Sequence, residues 1–167
     1  RDILSKAVKV VPFTRYGEGK LKEWGLGNVE PAIWLGIDPT IWKPMDRRQV
    51  PQAMASLGFA EDTYNILIVA NNQRRKYVEE KLQATGIFRK AHPEIPLRLY
   101  CHIPPGGEFS LGSLFDACGL SDIFRGIDDY TLSQGGLSEE QMAVIFNCAD
   151  VVLNACMDGF GLSHVQA

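Results

Sequence analysis

No run of apolar residues in this 167-residue chain approaches the roughly 20 residues that a membrane-spanning helix needs. Its first residues show no signal-peptide pattern. The four cysteines form no C-x-x-C pair and no spacing typical of zinc ligands. Three of them, Cys118, Cys148 and Cys156, stand among apolar residues and are expected to be small core side chains. These absences favour a reduced, cytoplasmic compartment, with peripheral membrane association of the intact protein left open.

The chain also lacks an excess of basic residues, since its formal net charge is -3 and its sequence pI is about 5.6. This argues against a non-specific nucleic-acid surface but not against a small basic site for a phosphate. The three histidines, His92, His102 and His164, do not cluster, so no metal site is expected, and His102 is interpreted as structural. The acidic pair Asp128-Asp129 is expected to be a solvated loop.

Short apolar runs alternate with helical periodicity along the chain, which is typical of βα units around a parallel sheet. We therefore predict an α/β fold, a Rossmann-like parallel sheet with helices on both faces. The patterns predict strands over residues 7–11, 30–35, 65–70, 97–103, 123–124 and 151–154. They predict helices over residues 14–24, 49–57, 78–92, 111–118 and 138–149, and a last one from residue 162.

Ligands of open parallel sheets bind at the carboxyl ends of the strands, so the loops after Ala70, Ile103 and Asn154 are the candidate sites. The first loop contains Arg74-Arg75-Lys76 just before a predicted helix. Cations are unfavourable at a helix N-terminus, and a bound phosphate would explain them. A solvated basic cluster is the alternative, and the sequence alone leaves both open.

The turn after the last predicted strand reads Asp-Gly-Phe-Gly-Leu over residues 158–162. Its glycines would let the backbone approach a ligand closely, at the free N–H groups of the following helix. A tight turn without a ligand is the alternative. The turn is not a dinucleotide fingerprint, because G-x-G-x-x-G is absent, and no G-x-S-x-G elbow surrounds Ser163.

Four segments occur in an order that resembles a known family: residues 34–44, 66–76, 138–150 and 158–162. They resemble the interdomain turn P-N-G-V-D-x-x-x-F-x-P, the strand with its basic loop, S-x-E-E-L-x-x-L-Y-x-x-A-D-V-x-V, and E-G-F-G-L-P-x-x-E-A of the family-4 (group 1) retaining glycosyltransferases of the GT-B fold. The resemblance covers nearly the whole chain. It implies that residues 1–30 are the end of an N-terminal acceptor domain and the interdomain connection. Residues 31–167 would then be an incomplete C-terminal donor domain, with both ends of the chain inside a longer sequence.

The resemblance also implies roles for the residues of the basic loop. Lys76 matches the family lysine that neutralises the donor diphosphate, and Arg75 precedes it as in many members. The family often has Gly-Arg where this chain has Ala70-Asn71, so Arg74 or Arg75 would replace the second cation. Lys76, Arg75 and Asp158 are the expected catalytic residues, and Arg74 and Asn71 are expected to bind the donor.

Asp158 matches the first acid of the family's E-x7-E motif, which contacts the hydroxyls of the donor sugar. Backbone N–H groups of Phe160, Gly161 and Leu162 would hold the sugar and the diphosphate. Gln166 matches the second acid, expected on the ribose. Asp158 is shorter than glutamate by one methylene, Gln166 has no charge, and Ser163 replaces the usual proline, so these positions depart from the pattern.

The resemblance implies transfer of a sugar from a nucleotide-diphosphate sugar to a carbohydrate or lipid-linked acceptor, with retention of configuration and without a metal or cofactor. The alternatives are a non-catalytic or degenerate nucleotide-sugar-binding module, and a GT-B relative such as a sugar-nucleotide epimerase or a glycogen-synthase-like enzyme. Base recognition would fall to loops near residues 124–126 and Tyr130. Residues 1–167 alone are expected to be inactive because the acceptor site would lie elsewhere.

Overall fold

The computed structural model describes residues 2–127, 131, 135–158 and 161–167, with only the backbone of Arg47. The chain forms two compact units, Arg1–Ile37 and Asp38–Ala167. The division therefore falls after Ile37, whereas the sequence interpretation ended the first segment at residue 30. The assignment of the two segments to an acceptor domain and a donor domain stays a prediction.

The first unit contains two helices, α1 (Asp2–Ser5) and α2 (Arg15–Glu23). Thr14 caps α2, because its hydroxyl accepts a hydrogen bond of 3.0 Å from the backbone N–H of Gly17. This bond satisfies one of the free donors of the first turn. The helix predicted from this cap is thus confirmed.

The strands predicted over residues 7–11 and 30–35 reduce to a single parallel bridge between Val10 and Val29. The prediction of a strand over residues 30–35 is wrong. Ile33 donates its N–H to the carbonyl of Pro12, and the side chains of Ile33 and Trp34 are exposed. A strand needs one covered face, and Pro31 moreover has no N–H to give to a ladder.

The second unit is built on a four-stranded sheet in the order β3-β2-β1-β4, with every pair parallel. Its strands are β1 (Tyr64–Val69), β2 (Leu97–His102), β3 (Phe124–Gly126) and β4 (Val151–Val152). Ile66 of β1 lies in register with Leu99 on one side and with Val151 on the other. β4 is shorter than the predicted 151–154 because only two of its residues pair with β1.

Five described helices precede, connect or follow the strands of this sheet. They are α3 (Pro51–Ser56), α4 (Val78–Ala91), α5 (Leu111–Cys118), α6 (Glu139–Cys148) and α7 (Leu162–Gln166), with 3-10 turns at Arg47–Gln49 and Arg74–Lys76. The predicted capping box of α6 is confirmed. The N–H of Gln141 donates to the Ser138 hydroxyl at 3.3 Å, and the N–H of Ser138 donates to the Gln141 side chain at 2.8 Å.

The side chains of β1 and β2 alternate between two apolar layers, as the period of a strand requires. Ile66, Ile68, Leu99 and Cys101 point into one layer, where they pack with residues of α4 and α5: Val78, Leu82 and Phe115. Tyr100 points to the opposite layer, where it lines a cleft with residues of α3, α6 and the chain between them: Ala53, Leu57 and Ile145. Helices thus cover both faces of the sheet, which confirms the predicted fold class.

α4 and α5 approach each other closely at Gly86 of α4. A Cβ atom at this position would lie 2.5 Å from the backbone oxygen of Cys118. Because that neighbour is backbone, it has little freedom to move aside. The absence of a side chain at Gly86 therefore sets the distance between the two helices, and with it the position of the N-terminal end of α4.

Asn147 of α6 holds the segment that enters the second unit. Its side-chain oxygen accepts the N–H of Met45 at 2.7 Å, and its amide nitrogen donates to the carbonyls of Lys43 at 3.0 Å and Ala143 at 2.9 Å. Trp42 packs edge-to-face on Phe146, with ring centroids 5.3 Å apart. These contacts fix residues 42–45 on the surface of α6.

Candidate functional site

A cleft of about 300 Å³ opens at the carboxyl edge of the sheet. Residues from the ends of β1 and β2 and from the chain after β4 line it: Val69, Ala70, Asn71, Lys76, His102, Pro104, Asp158, Leu162 and Ser163. This is the edge at which parallel sheets bind ligands. The structure therefore brings the basic loop and Asp158 together, although 82 residues separate Lys76 from Asp158.

Asp158 binds both cations of the loop. Lys76 donates from Nζ to one carboxylate oxygen, and Arg75 donates from Nη1 to the other. The side chains of Lys76 and Asp158 are 18% and 17% exposed, whereas that of Arg75 is 51% exposed. A backbone bond of 2.8 Å from the N–H of Met157 to the carbonyl of Arg75 ties the two loops together. The result is a half-buried carboxylate with a cation on each oxygen.

This arrangement changes the acidity of the groups in it. The hydrogen bond from Lys76, and with it the Cys156 thiol and the charge of Arg75, lowers the pKa of Asp158. Burial, and then the neighbouring Asp158 carboxylate, raises the pKa of Cys156. At neutral pH the site therefore holds an ionised carboxylate, a thiol and two cations, with a net positive charge.

The local backbone places Lys76 over the cleft. Residues 74–76 form a 3-10 turn, and Tyr77 then adopts a left-handed conformation with φ of 50° before α4 begins. Residues other than glycine rarely adopt this conformation, and it carries strain. The N–H of Tyr77 donates to the carbonyl of Arg74 at 2.9 Å, and its carbonyl accepts the N–H of Lys81 at 3.0 Å. Tyr77 is thus the joint between the cationic turn and the helix.

Arg74 contacts the loop that follows β2. Its guanidinium lies 5.8 Å from the ring centroid of Phe109, and its backbone N–H donates to the Glu108 carboxylate at 3.0 Å. Buried Asn72 fixes that loop, since its side chain donates to the carbonyl of Phe109 at 2.9 Å and accepts the N–H of Phe109 at 3.2 Å. Arg74 is therefore placed by the neighbouring loop, and its role on a donor stays a prediction.

The other residues predicted to bind the donor do not all lie in the cleft of Lys76. Asn71 and Leu162 line the cleft with Lys76, and Gly161 is the N-cap residue of α7, with φ of 72°. Gln166 instead lines a second cleft of about 460 Å³ with Trp42 and Phe146. Phe160 and Tyr130 lie outside the described residues, as do Gly159 and the pair Asp128-Asp129.

Lys81 is a site residue that the sequence interpretation missed. It is only 5% exposed, and burial lowers the pKa of its amine, which also interacts electrostatically with Cys156, Lys76 and Asp158. The signal was present, because Val78, Lys81, Leu82 and Thr85 share one face of α4 at the spacing i, i+3, i+4, i+7. Lysine is rarely buried, so a lysine at a core-facing position of a predicted helix indicates a buried charged group.

The structure also corrects the interpretation of Cys156, whereas that of His102 as structural stays a prediction. Cys156 is not a core side chain, since it is half-buried and its thiol interacts with the Asp158 carboxylate. It follows a strand of only two residues, so the chain has already left the core at this point. His102 ends β2 and lines the cleft beside Lys76.

Within the described residues, no helix is long and apolar enough to cross a membrane. The same part of the chain contains no group of three or more His, Cys, Asp or Glu residues able to hold a metal ion.

No family model matches the chain. The chain is 26% identical over 135 residues to D-inositol 3-phosphate glycosyltransferase of Paenarthrobacter aurescens (strain TC1), an alignment that covers 79% of the chain and 31% of that protein. The chain thus spans about a third of the length of this curated relative.

Two solved structures share the fold. The C-terminal domain of the glycosyl transferase group 1 family protein LpcC from Francisella tularensis matches with a TM-score of 0.60 and 18% identity, over 78% of the chain and 65% of that domain. A glycosyltransferase from Rickettsia africae ESF-5 matches with a TM-score of 0.66 and 11% identity, over 89% of the chain and 38% of that protein. The fold is therefore that of a GT-B C-terminal domain, and the chain is similar to group 1 glycosyltransferases.

Proposed function

We propose that the intact protein is a retaining glycosyltransferase, which transfers a sugar from a nucleotide-diphosphate donor to a carbohydrate or lipid-linked acceptor. The observation that carries the proposal is the joint pairing of Arg75 and Lys76 with Asp158 at the carboxyl edge of the sheet. Two cations and one carboxylate leave a net positive charge where a diphosphate would lie. The similarity to group 1 glycosyltransferases supports the same reading.

In this proposal Lys76 and Arg75 stabilise the charge that develops on the departing diphosphate. Cations fixed in a partly buried cleft are effective in this role because they need little reorganisation during the reaction. Asp158 accepts hydrogen bonds from hydroxyls of the donor sugar. Backbone N–H groups of Gly161 and Leu162 complete the donor site, and no metal ion takes part.

The test is a titration of the 167-residue chain with UDP, GDP and their sugar conjugates, followed by calorimetry and amide NMR shifts. Lys76→Ala removes a charge-assisted bond worth about 1.5–3 kcal/mol, so donor affinity should fall by about 10- to 100-fold. Lys90→Ala is the matched control, since Lys90 is an exposed lysine in the last turn of α4, the helix that follows the turn of Lys76. Equal donor affinities for the two variants would refute the role of Lys76.

A non-catalytic nucleotide-sugar-binding module is the second candidate. Gln166, the predicted ribose contact, lines the cleft of Trp42 rather than that of Lys76, which favours a weakened donor site. The two candidates differ in product. Donor turnover by the intact protein, lost in Lys76→Ala, identifies an enzyme, whereas saturable donor binding without turnover identifies the module.

A further inference from the structure

His102 is the last residue of β2, and it lines the cleft at the carboxyl edge of the sheet. It lines this cleft together with Lys76 and Asp158, and its ring lies 6.4 Å from that of Tyr100 on the same face of the strand. The resemblance to the glycosyltransferases gave this position no role.

The Nδ1 atom of His102 is buried and has no hydrogen-bond partner within the described part of the chain. Buried polar atoms in folded proteins are nearly always bonded, so each exception asks for an explanation. The two other such atoms of the described residues are Gln73 Oε1 and Asn154 Oδ1. They belong to residues that follow β1 and β4, so all three unmatched atoms lie at the carboxyl edge of the sheet.

Burial keeps the ring of His102 neutral. It lowers the pKa of His102, which is therefore uncharged at neutral pH. Lys76 and Asp158 line the same cleft, and the Asp158 carboxylate is already bound by Lys76 and Arg75. Tyr100 is the other titratable group beside the ring. A neutral imidazole has one N–H donor and one acceptor nitrogen. Its tautomer determines which of the two nitrogens carries the proton.

We propose that His102 is a further donor-binding residue, whose ring turns on ligand binding so that Nδ1–H, closed off without a ligand, donates a hydrogen bond to a phosphate oxygen that Lys76 also binds. The inference rests on the proposed function, and it adds the carboxyl end of β2 to the diphosphate site. A phosphate has several acceptor oxygens, so Lys76 and His102, which line the same cleft, can bind the same group. The negative charge of the phosphate would stabilise the imidazolium, so ligand binding couples to proton uptake at this ring.

The experiment follows the imidazole nitrogens of ¹⁵N-histidine-labelled protein by NMR, with inorganic pyrophosphate as the probe. The chain has three histidines, and His102→Gln assigns the relevant signals. Saturating pyrophosphate should shift the Nδ1 resonance of His102 and raise its pKa by about one to two units. The signals of His92, which is exposed beyond the end of α4, should not move.

Affinity gives an independent readout. His102→Gln should weaken pyrophosphate binding by about 3- to 10-fold, the range expected for one hydrogen bond. The ratio of variant to wild-type dissociation constants should grow as the pH falls from 8 to 6, because only the wild type gains a further positive charge when its imidazole takes up a proton. A merely structural role of His102 would give a ratio independent of pH. His92→Gln is the control and should bind as the wild type does.

The outcomes separate this inference from the proposed function. Pyrophosphate binding that depends on Lys76 but leaves the His102 nitrogens, pKa and affinity ratio unchanged overturns the role of His102 and leaves the donor site standing. Absence of binding by pyrophosphate, UDP and GDP alike overturns both.

Discussion

Asp158→Asn separates the ion pairs that Asp158 forms in the structure from the role that we propose for it on the donor sugar. Without a ligand, Asp158 binds Arg75 and Lys76, which are the cations that a diphosphate would need. The carboxylate therefore competes with the phosphate, while its proposed role is to hold hydroxyls of the sugar. The substitution keeps the size of the side chain and removes its charge. We expect it to tighten the binding of inorganic pyrophosphate and to reduce the preference for sugar conjugates.

The size of the effect follows from the exposure of the two ion pairs. Exposed ion pairs contribute roughly 0.2–1 kcal/mol each, and the pair with half-exposed Arg75 belongs at the lower end. The less exposed pair with Lys76 belongs at the upper end. Loss of this competition should release about 1 kcal/mol, which corresponds to about fivefold tighter pyrophosphate binding. A lost sugar hydrogen bond costs about 0.5–1.5 kcal/mol, so UDP-sugars should gain nothing or bind more weakly.

Calorimetry with pyrophosphate, UDP and UDP-sugars at low and moderate salt measures these effects. Asp62→Asn is the control, because Asp62 lies in the exposed turn before β1 and outside the cleft. Weaker pyrophosphate binding by Asp158→Asn, comparable with that of Lys76→Ala, would refute the reasoning. It would mean that the carboxylate organises the two cations for the phosphate rather than competing for them.

Three further predictions concern stability, measured by urea unfolding. Gly86→Ala should destabilise the chain by about 1–3 kcal/mol through overpacking, whereas Gly112→Ala on α5, with open space around it, should be neutral or stabilising by up to about 1 kcal/mol. Asn147→Ala removes three hydrogen bonds and should cost about 1–3 kcal/mol. Because the pKa of His102 is lowered on folding, the unfolded state binds the proton first, and stability should fall as the pH drops below about 6.5. That step should persist in His92→Gln and disappear in His102→Gln.

The core of the fold was predictable because its signals are local. β1 is an apolar run, and the capping box at Ser138 marks the start of α6. The strand predicted over residues 30–35 failed for the opposite reason. A short apolar run becomes a strand only when a neighbour and a covered face are available, and neither is encoded in the run itself. Exposed Ile33 and Trp34 lack that cover.

The meeting of Lys76 with Asp158 was predictable from topology alone. Both follow strands of one parallel sheet, and the carboxyl ends of such strands share an edge. The direction of each side chain at that edge was not predictable. Arg74 is drawn to Phe109 by a loop whose shape depends on buried Asn72, and Gln166 follows the orientation of a five-residue helix. Such contacts depend on packing between loops, for which a single sequence carries no periodic signal.

The left-handed backbone conformation of Tyr77 determines where Lys76 lies relative to α4. An ordinary right-handed residue there would continue the helix and carry the cationic turn in another direction. The left-handed joint instead lets residues 74–76 fold back over the end of β1 while α4 packs against the sheet through Val78 and Leu82. Strain of this kind, of order 1–3 kcal/mol, persists where surrounding contacts over-determine it. Here those contacts are the Arg75–Met157 backbone bond and the Lys76–Asp158 ion pair, so the same interactions that hold the strained joint also assemble the cleft.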